Sequence, residues 1–208
     1  MRTTVASIAV LTALLITAGC EAEPTGPMWS VRPDDPEDPL KLENITLLPG
    51  GNIAIKNTAN STLWKPDSVA TPPFELSARV HSTNLGLHPH GTGIVFGGTD
   101  VDGDNQAYTY FMVRGDGQFL IKTRDGTETG DVCSWTEHAA IAKEDSDLEA
   151  TNTLRVAVAD EETRFFVNDK EVHKHSNKEL HTKGKLGVRI VHDLNVRIDQ
   201  IKLTPGAK

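Results

Sequence analysis

Several features that mark common function classes are scarce or missing in this sequence. Only 2 cysteines occur in 208 residues. Basic residues are in the minority, 21 Lys and Arg against 29 Asp and Glu, for a formal net charge of −8. A nucleic-acid partner would call for a basic stripe, so that class is excluded, and adhesion to anionic lipid through the domain surface is disfavoured for the same reason. There is no internal repeat and no heptad. The strings G-x-S-x-G, P-loop and H-E-x-x-H are all absent. Helical periodicity is nearly missing as well, with Trp135 to Lys143 the only stretch that reads as a helical turn.

What is present begins with an apolar N-terminus. Arg2 supplies a positive charge, Val5 to Ile16 is an apolar run, and Thr17-Ala18-Gly19-Cys20 closes it with small residues before a cysteine. These are the three parts of a secretory signal. A membrane-spanning helix needs roughly 20 apolar residues, and this run is shorter. The closing residues resemble the lipobox of bacterial lipoproteins, with Thr17 where leucine is usual. That resemblance implies residues 1–19 as a signal peptide and Cys20 as the lipidated first residue of the mature chain. Two or more acyl chains anchor stably where one is marginal. The expected location is therefore the bacterial cell envelope, extracytoplasmic and held to the membrane through lipid. Lipidation of Cys20 leaves Cys133 without a disulfide partner, and Cys133 reads as a small buried hydrophobe.

Glu21 to Pro39 carries five prolines and six acidic residues with few large apolar side chains. Such a composition cannot bury enough surface to offset ordering, so residues 20–39 are expected to be a disordered tether and 40–208 the folded domain. From Leu40 onward the period is two. Phe74 to Val80 alternates apolar and polar residues, and Gly93 to Gly98 is a short glycine-rich apolar run. Tyr108 to Val113 and Gln118 to Thr123 flank Gly115-Asp116-Gly117, a hairpin signal. Further strands are expected at Leu154 to Val158, Arg164 to Val167, Glu171 to His173, Leu186 to Val191 and Val196 to Leu203. About ten strands at this spacing predict an all-β fold, an antiparallel β-sandwich.

The order of Gly93 to Gly98, Tyr108 to Phe111, Arg114 to Gly117, Phe119 to Lys122 and Phe166 to Asn168 resembles the concanavalin A-like jelly rolls. In particular it resembles the branch grouped with 3-keto-disaccharide hydrolase domains. Gly187 to Ile190 and Leu194 to Val196 fit the closing hairpin of such domains. The resemblance covers roughly residues 70–203. It speaks for the fold more than for an activity, because this fold hosts lectins, hydrolases and structural modules alike.

If Phe111, Val113, Phe119 and Ile121 point into the core, alternation sends Tyr110, Met112, Arg114, Lys122 and Arg124 to the opposite face. Tyr110, Arg114, Lys122 and Arg124 are therefore the candidate ligand-binding residues. Aromatic faces stack on sugar C–H surfaces, and cationic groups donate to hydroxyls or a carboxylate. The alternative is an ordinary solvated sheet face. His88 and His90 sit on a loop at a strand entrance. An H-x-H pair can ligate a metal, and His138 or His192 could complete such a site only through tertiary contact. His173, His175 and His181 lie in a Lys-rich, solvent-like stretch. Asp100, Asp102 and Asp104 alternate in one loop and could hold a structural calcium. With Asn105 and Phe111 at the sixth and twelfth places, the loop is not an EF-hand. No other cofactor is expected.

The glucanases of this fold carry the string E-x-D-x-x-E, and none occurs here. Two functional readings then stand. One is a tethered module that binds a glycan or a glycosylated partner. The other is an enzyme of the 3-keto-disaccharide hydrolase type, in which one base removes the acidified C2 proton and the C1 substituent leaves. The resemblance implies His90 or His138 as that base, with Arg114, Lys122 or Arg124 as electrostatic stabiliser. A purely structural envelope module is the remaining alternative.

Overall fold

A computed structural model describes residues 29–206. The expected signal peptide and the expected lipidation site Cys20 lie outside the described residues. In chain order the strands are β1 (Ser30–Pro33), β2 (Ile45–Leu48), β3 (Asn52–Ile55), β4 (Ser61–Ala70), β5 (Phe74–Asn84), β6 (Gly91–Thr99) and β7 (Ala107–Arg114). They continue as β8 (Gln118–Asp125), β9 (Glu128–Glu137), β10 (Glu149–Val158), β11 (Glu162–Val167), β12 (Lys170–Ser176), β13 (Gly184–Ile190) and β14 (Leu194–Pro205). The helical content among the described residues is three short 3-10 turns.

The strands form two antiparallel seven-stranded sheets. One has the order β1-β4-β13-β6-β7-β8-β9, the other β12-β11-β10-β5-β14-β3-β2. Their facing surfaces make the main core. Ile94 and Phe96 of β6, Phe111 and Val113 of β7, Phe119 and Ile121 of β8 and Val188 and Ile190 of β13 meet residues such as Leu154, Val156 and Phe165 of the second sheet. Phe111 stands edge-on to Phe119 at 6.2 Å and to Phe165 at 5.3 Å between centroids, a favoured geometry for aromatic pairs. The antiparallel β-sandwich expected from the period of two is the fold observed.

Two expectations need correction. The folded domain does not begin at Leu40. Trp29 is buried in the core, β1 pairs with β4 from Ser30 to Pro33, and Val31 is buried too. Two buried apolar side chains and four paired residues outweigh the disordering composition of the surrounding prolines and acids. The second correction concerns Trp135, for which the sequence predicts the start of a helical turn. It lies in β9, an edge strand paired with β8.

Candidate functional site

The strand alternation that fills the core sends a second set of side chains to the outer face of the β6–β9 sheet. Val95, Tyr108, Tyr110, Met112 and Leu120 form a separate buried cluster there, with Trp135 and Val191 packed against it. Above this cluster lies a cleft of about 400 Å³ lined by Tyr110, Met112, Arg114, Leu120, Lys122, Ser134, Trp135, Arg189, Val191, His90 and neighbouring loop residues. Three of the four expected ligand-binding residues, Tyr110, Arg114 and Lys122, are thus brought together. Arg124 is not among the lining residues; its Nε donates to the Gly126 carbonyl at 2.8 Å, in the turn after β8.

Trp135 forms part of the cleft wall. The β8–β9 register shifts between Phe119 and Ile121 and again between Ile121 and Lys122. Bulges of this kind re-aim side chains, and here both Ser134 and Trp135 line the cleft although they are consecutive. Gly91 makes room for the indole. A Cβ at that position would come within 2.8 Å of Trp135 Cη2 and 3.0 Å of Met112 Cε. The Arg114 guanidinium lies 4.5 Å from the indole centroid. It is oriented by Asp116, whose carboxylate accepts from Arg114 Nε at 2.9 and 3.0 Å and also from Gln118 at 3.0 Å. The Gly115-Asp116-Gly117 turn therefore positions the cation as well as joining the strands, with Gly117 at φ 88°.

The other cations are held in the same way. Lys122 Nζ pairs with Asp131 at 2.8 Å. Arg189 donates to Thr62 Oγ1 at 3.1 Å and to Asp34 Oδ1 at 2.7 Å, and lies 6.0 Å from the Tyr110 ring centroid. Burial alone would lower its pKa; the Asp34 carboxylate outweighs that, and the net shift is upward. Tyr110 is only 8 % exposed and forms the floor rather than an open stacking platform. Burial pushes its phenol up to about 12, so it stays a protonated donor. Arg189 and Trp135 were not anticipated. The first reads as one more polar residue in an alternating strand, and the bulge at the second breaks the period that would have aimed it.

The histidines separate. His138 is not among the cleft-lining residues; its Nδ1 accepts from Ala140 N at 3.1 Å. His90 is in the cleft, with its ring centroid 4.2 Å from that of His192. Its Nε2 lies 4.0 Å from Asp193 Oδ2. Burial, then the neighbouring His192, lowers its pKa and favours the neutral ring. His173, expected in a solvated stretch, instead packs on Phe165 at 6.0 Å and Phe119 at 6.4 Å.

Asp100, Asp102 and Asp104 are not brought together as a cation site. Among the described residues, the group of three or more His, Cys, Asp or Glu with ligand atoms within 4.8 Å of one another is His90, His192 and Asp193. In the Asp100 loop the carboxylate instead accepts from Asn105 N at 3.0 Å. The Arg32 guanidinium reaches the carbonyls of Val101 and Gly103, which a calcium ion would otherwise seek.

No protein family matches this chain, and no curated protein does. Solved structures do match. The carbohydrate binding module CBM66 from Bacillus subtilis superposes with TM-score 0.55 at 9 % identity, over 73 % of this chain and 86 % of that one. The fold is a concanavalin A-like jelly roll. A β-glucanase from Bacillus licheniformis matches with TM-score 0.56 at 7 % identity, over 80 % of this chain and 84 % of that one. A putative glycosyl hydrolase from Parabacteroides distasonis matches with TM-score 0.51 at 16 % identity, over 84 % and 98 %. At such identities the likeness speaks for architecture alone.

Proposed function

We propose that this jelly roll is a sugar-binding module, lipid-anchored through Cys20 and extracytoplasmic in the bacterial cell envelope. The observation that carries the binding reading is the composition of the cleft. It offers an indole, a tyrosine floor and three cationic donors, and none of its lining residues is a carboxylate. Retaining hydrolysis needs two carboxyl groups about 5–5.5 Å apart, and the cleft supplies neither. Each cation also has its own partner, Asp116 for Arg114, Asp131 for Lys122 and Asp34 for Arg189. Charge is therefore balanced around the cleft, which suits a neutral, hydroxyl-rich ligand that stacks a C–H face on aromatic surface. Structures of like fold that include a carbohydrate binding module and a β-glucanase are consistent with that ligand class.

A glycan array on the purified chain, followed by titration of the best ligand, tests this. Arg114→Ala and Trp135→Ala should each weaken binding by about five- to 150-fold, the equivalent of roughly 1–3 kcal/mol. Unchanged affinity in both variants, with the fold intact, would remove the cleft as the binding site. The anchor is tested separately. Cys20→Ala should turn a detergent-dependent membrane protein into a precursor or a freely released one, and a variant that still requires detergent would overturn the assignment.

One observation favours an enzyme of the 3-keto-disaccharide hydrolase type as a second reading. His90 is a half-buried imidazole in the cleft, held toward its neutral form, which is the form a general base needs. On that reading His90→Ala abolishes turnover of 3-keto glucosides while binding persists.

A further inference from the structure

The cluster of His90, His192 and Asp193 at the end of the cleft has no role in sugar stacking. His90 stands immediately before β6, and His192 and Asp193 form the turn between β13 and β14. Far apart in sequence, they are fixed on one frame by backbone hydrogen bonds. Val191 N donates to Gly91 O at 3.2 Å, Asp193 N to Thr58 O at 3.1 Å and Leu85 N to Asp193 O at 2.9 Å. His192 N donates to the Asn60 side chain at 3.0 Å. Asp193 adopts φ 58°, a left-handed conformation that aspartate tolerates better than most residues. Gly86 keeps the approach narrow but open, since a Cβ there would lie 3.3 Å from His90 Nε2 and 3.4 Å from Asp193 Cβ.

The three ligand atoms lie within 4.8 Å of one another. His192 Nδ1 is 2.9 Å from Asp193 Oδ2, and His90 Nε2 is 4.0 Å from the same oxygen. In a tetrahedral zinc site with bonds near 2.0–2.1 Å, neighbouring ligand atoms stand roughly 3.3–3.4 Å apart. Small side-chain rotations would bring this set to that spacing. Two imidazoles with one carboxylate are borderline donors, suited to zinc and the late first-row ions rather than to calcium or magnesium. The set leaves a fourth position unfilled by protein, as in zinc sites that bind water or substrate. Of the three residues His90 also lines the cleft, so the set adjoins it.

We propose that His90, His192 and Asp193 bind one divalent transition-metal ion of the zinc class at the end of the cleft. The ion would take the place of the contact between His192 Nδ1 and Asp193 Oδ2 and would occupy the His90 Nε2 lone pair. Metal ligation and a general-base role for His90 are therefore mutually exclusive. A bound ligand would meet the ion through a hydroxyl or a water.

The test is equilibrium dialysis and calorimetric titration of the purified full-length chain with zinc, with calcium as the comparison and cobalt as a spectroscopic probe. One zinc per chain should bind, calcium should not compete, and cobalt should give visible d–d bands of a low-coordinate nitrogen–oxygen site. His192→Gln and Asp193→Asn should each weaken zinc binding at least about 10-fold, with His175→Gln as a surface-histidine control that changes nothing. Asparagine also tolerates the left-handed backbone of position 193, and melting curves of the metal-free variants check that the fold survives. Absence of zinc binding, or zinc binding unchanged in both ligand variants, overturns the proposal. The titration uses no sugar, so its failure leaves the glycan reading standing, and a silent glycan array leaves the metal result standing.

Discussion

Asp34 shows how one side chain outside the obvious domain shapes the cleft. It follows β1 and pairs with Arg189, whose own side chain is only 13 % exposed. An arginine in that position cannot lose its charge, so its partner offsets the cost of burial. Asp34→Ala should therefore destabilise the protein by about 1–3 kcal/mol, the cost of a buried polar group left unpaired. Urea unfolding of the variant reads this directly, and an unchanged midpoint would show that Arg189 re-pairs without cost. The ion pair was invisible in the sequence because a run of prolines and acids reads as solvated chain. Against it stand only Trp29 and Val31, an alternating apolar pair too short to stand out.

The β7–β8 hairpin was the most legible element, since Phe111 and Val113, then Phe119 and Ile121, alternate with residues of the other face and Gly115-Asp116-Gly117 joins the two strands. Facing is all or nothing in such a pair, because a slip of one residue exchanges the two faces. Phe119 is 1 % exposed, so Phe119→Ala should cost roughly 3–5 kcal/mol. Lys122→Ala loses a partly exposed ion pair with Asp131 and should stay within about 1 kcal/mol. Denaturant midpoints of the two variants measure both, and a reversal of the order would contradict the facing. Strand β9 was illegible for the opposite reason. It is a polar edge strand, and the bulges that aim Ser134 and Trp135 to one side erase the period a sequence reading depends on.

Across the whole sandwich the cleft sheet carries the candidate chemistry, while the outer face of the second sheet carries the most perturbed carboxylate. Asp199 of β14 is buried at 7 % exposure and accepts from Arg79 of β5 at 2.9 Å and from Arg197 at 2.6 and 3.0 Å. His81 Nε2 is 3.3 Å away. The hydrogen bond from Arg79 leads in holding its carboxyl down to about 2, from the usual 3.8, against the opposing effect of burial. A group whose folded pKa is depressed contributes stability that is fully present above the unfolded value and is lost as pH falls through the folded one. The window for Asp199 thus runs from about pH 4 down to about pH 2. Burial leads in lowering the pKa of the neighbouring His81, which makes its protonation less favourable in the folded state. Asp199→Asn should be less stable than the parent at neutral pH, and the gap should close between about pH 4 and pH 2 as the parent's carboxylate is protonated. Thermal unfolding of both proteins across that range measures the gap. A gap that persists unchanged at pH 2 would mean that the β5–β14 seam depends on the shape of the side chain and not on its charge.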